Sequence, residues 1–138
     1  LLRAGIPVRH IEEKKNVPMY ITNISCEPSC FFQGPMVVTM RPIPPEKVSQ
    51  AVQITARYRL VHGAPVHVGD PERIGIKNLK KPDFGDPVTI RKGEVPCFWA
   101  CGVTPQSVVM KAKPELCITH TPGHMLISDL LNEELANL

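Results

Sequence analysis

Apolar positions in this chain fall into short runs broken by proline and glycine, and the spacing within each run predicts its element. MVVTMR at 36–41 is apolar and rich in β-branched residues, which predicts a buried strand. In PIPPEKVSQAVQITARYRL, which follows, Pro45 is placed to open a helix at its first position. Val48, Ala51, Val52 and Tyr58 then recur near helical spacing as a core-facing stripe. VHGAPVHVGD at 61–70 predicts a short extended segment ending at Gly69-Asp70-Pro71, with Asp70 as N-cap of a turn over 71–74. A loop over NLKKPDFGDP leads to a strand at VTIR, 88–91, and a Lys92-Gly93 turn to a strand at 95–101, VPCFWAC, buried on both faces. Thr104 is expected to cap a helix that starts at Pro105, buries Val108, Val109 and Ala112, and stops at Pro114. LCIT at 116–119 predicts another strand. The tail SDLLNEELANL predicts a short amphipathic helix with Leu131, Leu135 and Leu138 on one side.

Alternating strands and helices point to an α/β or mixed α+β layered sandwich, with helices on the faces of a mixed sheet. Val95 to His120 has the pattern of a β-α-β unit, because about a dozen residues between strands suit a helical crossover and parallel pairing. Parallel strands end on the same edge, so Gly102-Val103-Thr104 is expected beside His120-Thr121-Pro122-Gly123. Ligands of open α/β sheets bind in that crevice.

The length of 138 residues suits one domain over 1–138, and a start at Leu1 rather than Met leads us to expect a piece of a longer chain. Hydrophobic residues at 43% and charged residues at 21% are ordinary globular usage, which argues against disorder. Proline, at 15 residues, is about twice its usual share of ~5% and serves as punctuation between apolar runs. The net charge is +3, and the densest basic region, Lys77, Lys80, Lys81, Arg91 and Lys92, has no interleaved aromatic residues; no nucleic-acid partner is expected. No run reaches the ~20 apolar residues of a membrane span, so no membrane partner is expected either. Five cysteines, an odd number, fit reduced thiols in an intracellular compartment. Cys26/Cys30 and Cys97/Cys101 have the C-x3-C spacing of zinc half-sites. One pair lies in a strand-like run and the other encloses Pro28, so neither a metal nor a cofactor is expected.

Candidate chemistry collects at the two elbows. Gly102 permits a tight turn, and the helix after it presents free N–H groups that favour an anion. His120 and His124 bring imidazoles, the side chain suited to acid/base work around neutrality, and Pro122-Gly123 between them rules out a helical metal-binding pair. A ligand carboxylate held at the helix start beside an imidazole is the natural inference. His62 and His67 flank a second proline-broken segment that runs into Asp70. His10, outside these clusters, is read as a surface residue.

The combination HGAPVHVGDP (62–71), FGDPV (84–88), PCFWACGVTPQ (96–106) and THTPGHMLISDL (119–130), preceded by GPMVVTMRP (34–42), resembles the D-glutamate cyclase family. The likeness runs from about Gly5 to Leu130; the Cys26/Cys30 pair and the residues after Leu130 lie outside it. It implies a lyase that closes D-glutamate to 5-oxo-D-proline with loss of water, within a mixed α/β architecture of which this chain is one part. Bacterial members carry further residues before this segment. Eukaryotic members carry a second domain after it and lie in mitochondria. The location implied is therefore the cytoplasm for a bacterial member and the mitochondrial matrix for a eukaryotic one.

That reaction sets demands on the residues. Protonating a carboxylate of pKa ~4.3 at pH 7 costs roughly 3.7 kcal/mol, so an acid must serve the departing oxygen while a base takes the ammonium proton. His120 and His124 suit these roles, with His62 and His67 as further catalytic candidates. Gly102, Thr104 and Gln106 suit the oxyanion or a substrate carboxylate; Thr121, Gly123 and Asp70 complete the substrate-binding candidates, and Arg41 could clamp the other carboxylate in bidentate fashion. Beyond D-glutamate, the partners expected are further domains of the same chain, with a homo-oligomer left open. Three alternatives stand beside this reading. Cys101 could be a nucleophile before a helix start. A metal-dependent hydratase or hydrolase acting on a small carboxylic acid could use His62, His67, Asp70, His120 and His124. Or the segment could be a non-catalytic module that binds an acidic metabolite.

Overall fold

Alternation along two central strands decides what each face of the sheet carries. The computed structural model of the chain describes residues 1–124 and 127–136. Among these, β1 (Met19–Ser25), β2 (Pro35–Ile43), β3 (His67–Val68) and β4 (Val95–Ala100) form one sheet in the order β1-β2-β4-β3. Every neighbouring pair is antiparallel. Thr39 lies opposite both Met19 and Trp99, and Arg41 opposite Cys97. Since side chains alternate along a strand, Met19, Val37, Thr39, Arg41, Ile43, Cys97 and Trp99 share one face, while Tyr20, Val38, Met40 and Phe98 share the other.

The first face is covered by α2 (Pro45–Thr55) and α3 (Val103–Ala112). Ala51 of α2 packs with Ile6, Ile43, Cys97 and Trp99, and Val103 of α3 with Met19 and Val37. The second face has no long helix. A 3-10 turn, Pro71–Ile74, and the irregular chain after it supply Ile74 and Ile76 to Tyr20, Val38, Met40 and Phe98. Asp70 caps this turn, its carboxylate accepting from Glu72 N, as the sequence predicts. Pro45 likewise takes the first turn of α2, as expected. Two four-residue helices, α1 (Arg9–Glu12) and α4 (Asn132–Leu135), complete the elements.

The mixed α+β class holds, but the parallel β-α-β unit does not form. Residues 116–119 carry no strand and are exposed. β4 has no free edge to offer them, since β2 pairs along its whole length and β3 occupies the other side at Cys97 and Phe98. The expected strand at 88–91 is also irregular, and the extended segment at 61–70 shrinks to His67–Val68. The long helices lie on one face of the sheet only. Thr104 does not cap α3, which begins two residues earlier than expected, at Val103 with Gly102 as its N-cap. The Thr104 hydroxyl instead bridges to Val37 of β2, donating to its carbonyl at 3.2 Å and accepting from its N–H at 2.9 Å. Leu138 of the predicted amphipathic tail lies outside the described residues.

Candidate functional site

The N-terminal arm, the end of α2 with the turn after it, and the α2-bearing face of the sheet surround a cavity of about 880 Å³. That is within the usual range for a small-molecule site, about 300–1,000 Å³. Its walls are largely apolar, from Leu1, Val8, Ile54, Val61 and Trp99, and its polar groups include Arg41, His10 and His62.

A chain of contacts fixes the floor. Thr55, in the last turn of α2, donates its hydroxyl back to Ala51 O at 2.8 Å. The same oxygen accepts from Trp99 Nε1 at 3.2 Å, which sets the indole plane. Arg41 lies over that ring, its guanidinium carbon 5.0 Å from the centroid. Arg41 has no hydrogen bond and no carboxylate partner among the described residues. Burial lowers its pKa, opposed only where Cys101 is ionised to a thiolate; a guanidinium nevertheless stays protonated. The contrast with Arg9 is instructive. That side chain is fully buried where Arg41 is half-buried, but Glu94 and Glu12 neutralise it, and the pairing ties α1 to the residue before β4.

His10 reaches the cavity from α1 and is partly buried. Its pKa is lowered, first by burial and then by the charge on Arg41. The ring makes no hydrogen bond among the described residues, whereas each of the other four histidines bonds a main-chain carbonyl through a ring nitrogen. His62 Nδ1 lies 2.6 Å from Ala100 O. A carbonyl can only accept, so Nδ1 carries the proton and Nε2 is left open. Arg3 and Arg57 add positive charge to the lining, and Glu133, which pairs with Arg3, adds a carboxylate. An apolar cavity with this balance of charge suits a small anion.

Of the residues singled out from sequence, the structure brings Arg41 and His62 together here. His67 belongs to the opposite face of the sheet, where its ring lies against Phe98 and its Nε2 meets Asp70 O at 2.7 Å. The Asp70 carboxylate is occupied by Glu72 N. His120 and His124 are exposed and outside the cavity, their Nδ1 atoms turned to Thr121 O and Pro122 O of their own loop. Gln106 is buried and holds His120 through its carbonyl, so α3 and the second elbow do meet, without enclosing a cavity. Gly102 is exposed at the helix start, and Gly123 turns at φ +80 against Asn16. The metal constellation does not assemble: no group of three or more His, Cys, Asp or Glu among the described residues could hold an ion. Burial raises the Cys101 pKa, partly offset by the Val103 N–H and Arg41, so this thiol stays protonated near neutral pH. The residue missed from sequence is His10, which is a wall of the cavity and not a surface group. Its spacing of two from Val8 and four from Ile6, both buried, was the available signal.

The sequence profile of the D-glutamate cyclase family matches residues 1–129. Among similar proteins, one from Bacillus licheniformis is 65% identical over all 138 residues and one from Thermoanaerobacter pseudethanolicus 68% over 136. A third, from Geobacillus kaustophilus, is 63% identical over 138 residues. Each is named as a candidate hydro-lyase. The matched residues are 100%, 99% and 100% of this chain but 53%, 51% and 52% of those proteins, so the chain spans about half the length of the curated relatives it matches.

Proposed function

The chain belongs to the D-glutamate cyclase family, and from that premise we propose that the protein is a hydro-lyase closing D-glutamate to 5-oxo-D-proline in the cavity around Arg41. One observation carries the reading: a guanidinium with no carboxylate partner among the described residues, stacked on Trp99 inside apolar walls. A desolvated cation is costly unless something neutralises it, and a substrate carboxylate is the group of matching size and shape. With one carboxylate fixed there, the side chain folds back so that the amine reaches its own δ-carboxyl group. Amine and carboxyl are already in one molecule, so the site's task is to hold the curled conformer.

Two protons leave the ammonium nitrogen as the C–N bond forms, and the departing oxygen takes both to leave as water. Charge balances at every stage only if one group accepts and another donates. His62, with its Nδ1–H fixed on Ala100 O, presents Nε2 for donation to that oxygen when doubly protonated. Bacterial relatives favour a cytoplasmic setting. No described helix is long and apolar enough to cross a membrane.

An NMR time course of D- and L-glutamate with the complete protein tests this. We expect loss of the D-glutamate γ-methylene signals and growth of those of 5-oxoproline, slowed by His62→Gln far more than by His120→Ala. D-glutamate left unchanged would sink the proposal. Loss of turnover in His120→Ala alone would return the chemistry to the 119–124 elbow.

A further inference from the structure

We propose that His10 is the general base of this cavity, taking the ammonium proton of D-glutamate while Arg41 holds a carboxylate of the same molecule. The inference rests on the cyclase reading and adds a residue to it. Three observations on the chain converge. His10 shares the cavity with Arg41 and His62. It alone of the five histidines has a ring free of hydrogen bonds among the described residues, so a lone pair is available to an incoming N–H. And its backbone is held in place from the preceding residue, where buried Arg9 is clamped by Glu94 and Glu12.

The charged and titratable groups lining the same space are Arg41 from β2, His62, Arg57 and Tyr58 from beyond α2, and Arg3 with its partner Glu133. Positive charge predominates, and burial first, then the charge on Arg41, disfavours a cation at His10. The imidazole is therefore neutral at pH 7, the form a base requires. When a substrate carboxylate reaches Arg41, that repulsion is offset. Proton affinity at His10 then rises in the complex that contains the ammonium group. In the step itself the imidazole nitrogen gains a proton, the substrate nitrogen gains a free electron pair, and that pair forms the bond to the δ-carbon. The second ammonium proton and the one now on His10 leave with the departing oxygen as water, by way of His62 or solvent.

The test is the pH dependence of kcat/KM for the complete protein and its His10→Gln and His62→Gln variants, with circular dichroism to confirm that each folds. In the parent, kcat/KM should rise with pH along a limb whose midpoint lies below 6.5, since His10 must be neutral and its pKa is lowered. His10→Gln should lower kcat by about a hundredfold or more and abolish the limb, while His62→Gln should lower kcat and keep it. As a reading independent of turnover, the His10 Cε1 proton resonance should titrate below 6.5 in the free protein and higher in the presence of 5-oxo-D-proline. An active parent whose His10→Gln variant keeps both rate and limb overturns the role of His10 alone. A parent that leaves D-glutamate unchanged overturns the cyclase reading and this inference with it.

Discussion

At Arg41 a guanidinium occupies a place that folding alone would not favour. Burial raises the free energy of the charged form, and no carboxylate among the described residues offsets it. The same isolation is what a ligand carboxylate would exploit. Arg41→Met keeps an aliphatic chain over Trp99 and removes the charge, so thermal unfolding should occur at the parent temperature or above. Binding of the substrate should weaken by about tenfold to about a hundredfold, the equivalent of losing a charge-assisted contact of about 1.5–3 kcal/mol. A lowered unfolding temperature with unchanged KM would show that Arg41 serves the fold and not a ligand. His10 illustrates the same tension in a titratable group. Its folded pKa is depressed, so its contribution to stability is present above 6.5 and is lost as pH falls toward the folded value.

Among the elements, the segment over residues 83–90 behaves as a clasp. Asp83 accepts from Ile21 N at 2.8 Å, Phe84 exchanges main-chain hydrogen bonds with Met19, and Asp86 accepts from Asn16 N at 2.9 Å. Glu13 then takes Thr89 N at 3.1 Å while Lys15 holds both Glu13 and Pro87 O. These bonds explain why VTIR, apolar and β-branched, does not become a strand: side chains engage its main chain, Glu13 at Thr89 N and Glu94 at Arg91 N. The Lys15 and Thr89 contacts bring the Glu13 pKa down from 4.5 to about 2. A carboxylate with a depressed pKa stabilises fully above its unfolded value and ceases to do so as pH falls through the folded one. Hydrogen-exchange protection of the Thr89 amide should therefore decline between about pH 4.5 and about pH 2. In Glu13→Gln it should be weak at any pH. Constant protection across that interval in the parent would refute the clasp.

For the molecule as a whole, several motif residues that look chemical turn out to hold the chain together. Gly85 of FGDP has φ +74, and a Cβ there would sit 2.0 Å from Val17 O. Neither the left-handed backbone nor a rigid carbonyl can yield easily. Gly85→Ala should cost about 3 kcal/mol or more, read as a lower urea midpoint at unchanged m-value. An unaltered midpoint would mean that the contact relaxes without penalty. Asp70 and Thr104, both candidates for binding, spend their side chains on Glu72 N and on the Val37 main chain. The elbow motifs were thus legible as motifs, and their residue types pointed toward function. Whether a given side chain was free for it depended on bonds to residues up to 67 positions away, as for Thr104 and Val37.

Short-range pattern by itself determined the buried strand at 36–41, the helix opened by Pro45, the strand ahead of CGVTPQ and the Asp70 cap, because these depend on neighbours within a turn or a pleat. The sequence also determined the family, through motifs in a fixed order. Only the tertiary structure decided that the sheet is antiparallel, since the run at 116–119 could pair only if β4 still had an open edge. Only it decided that His10, Arg41 and His62 meet in one cavity while His120 stays outside. Pattern reports which residues favour burial or a turn; which distant groups neutralise one another, and which are left over for a ligand, is settled when the chain closes on itself.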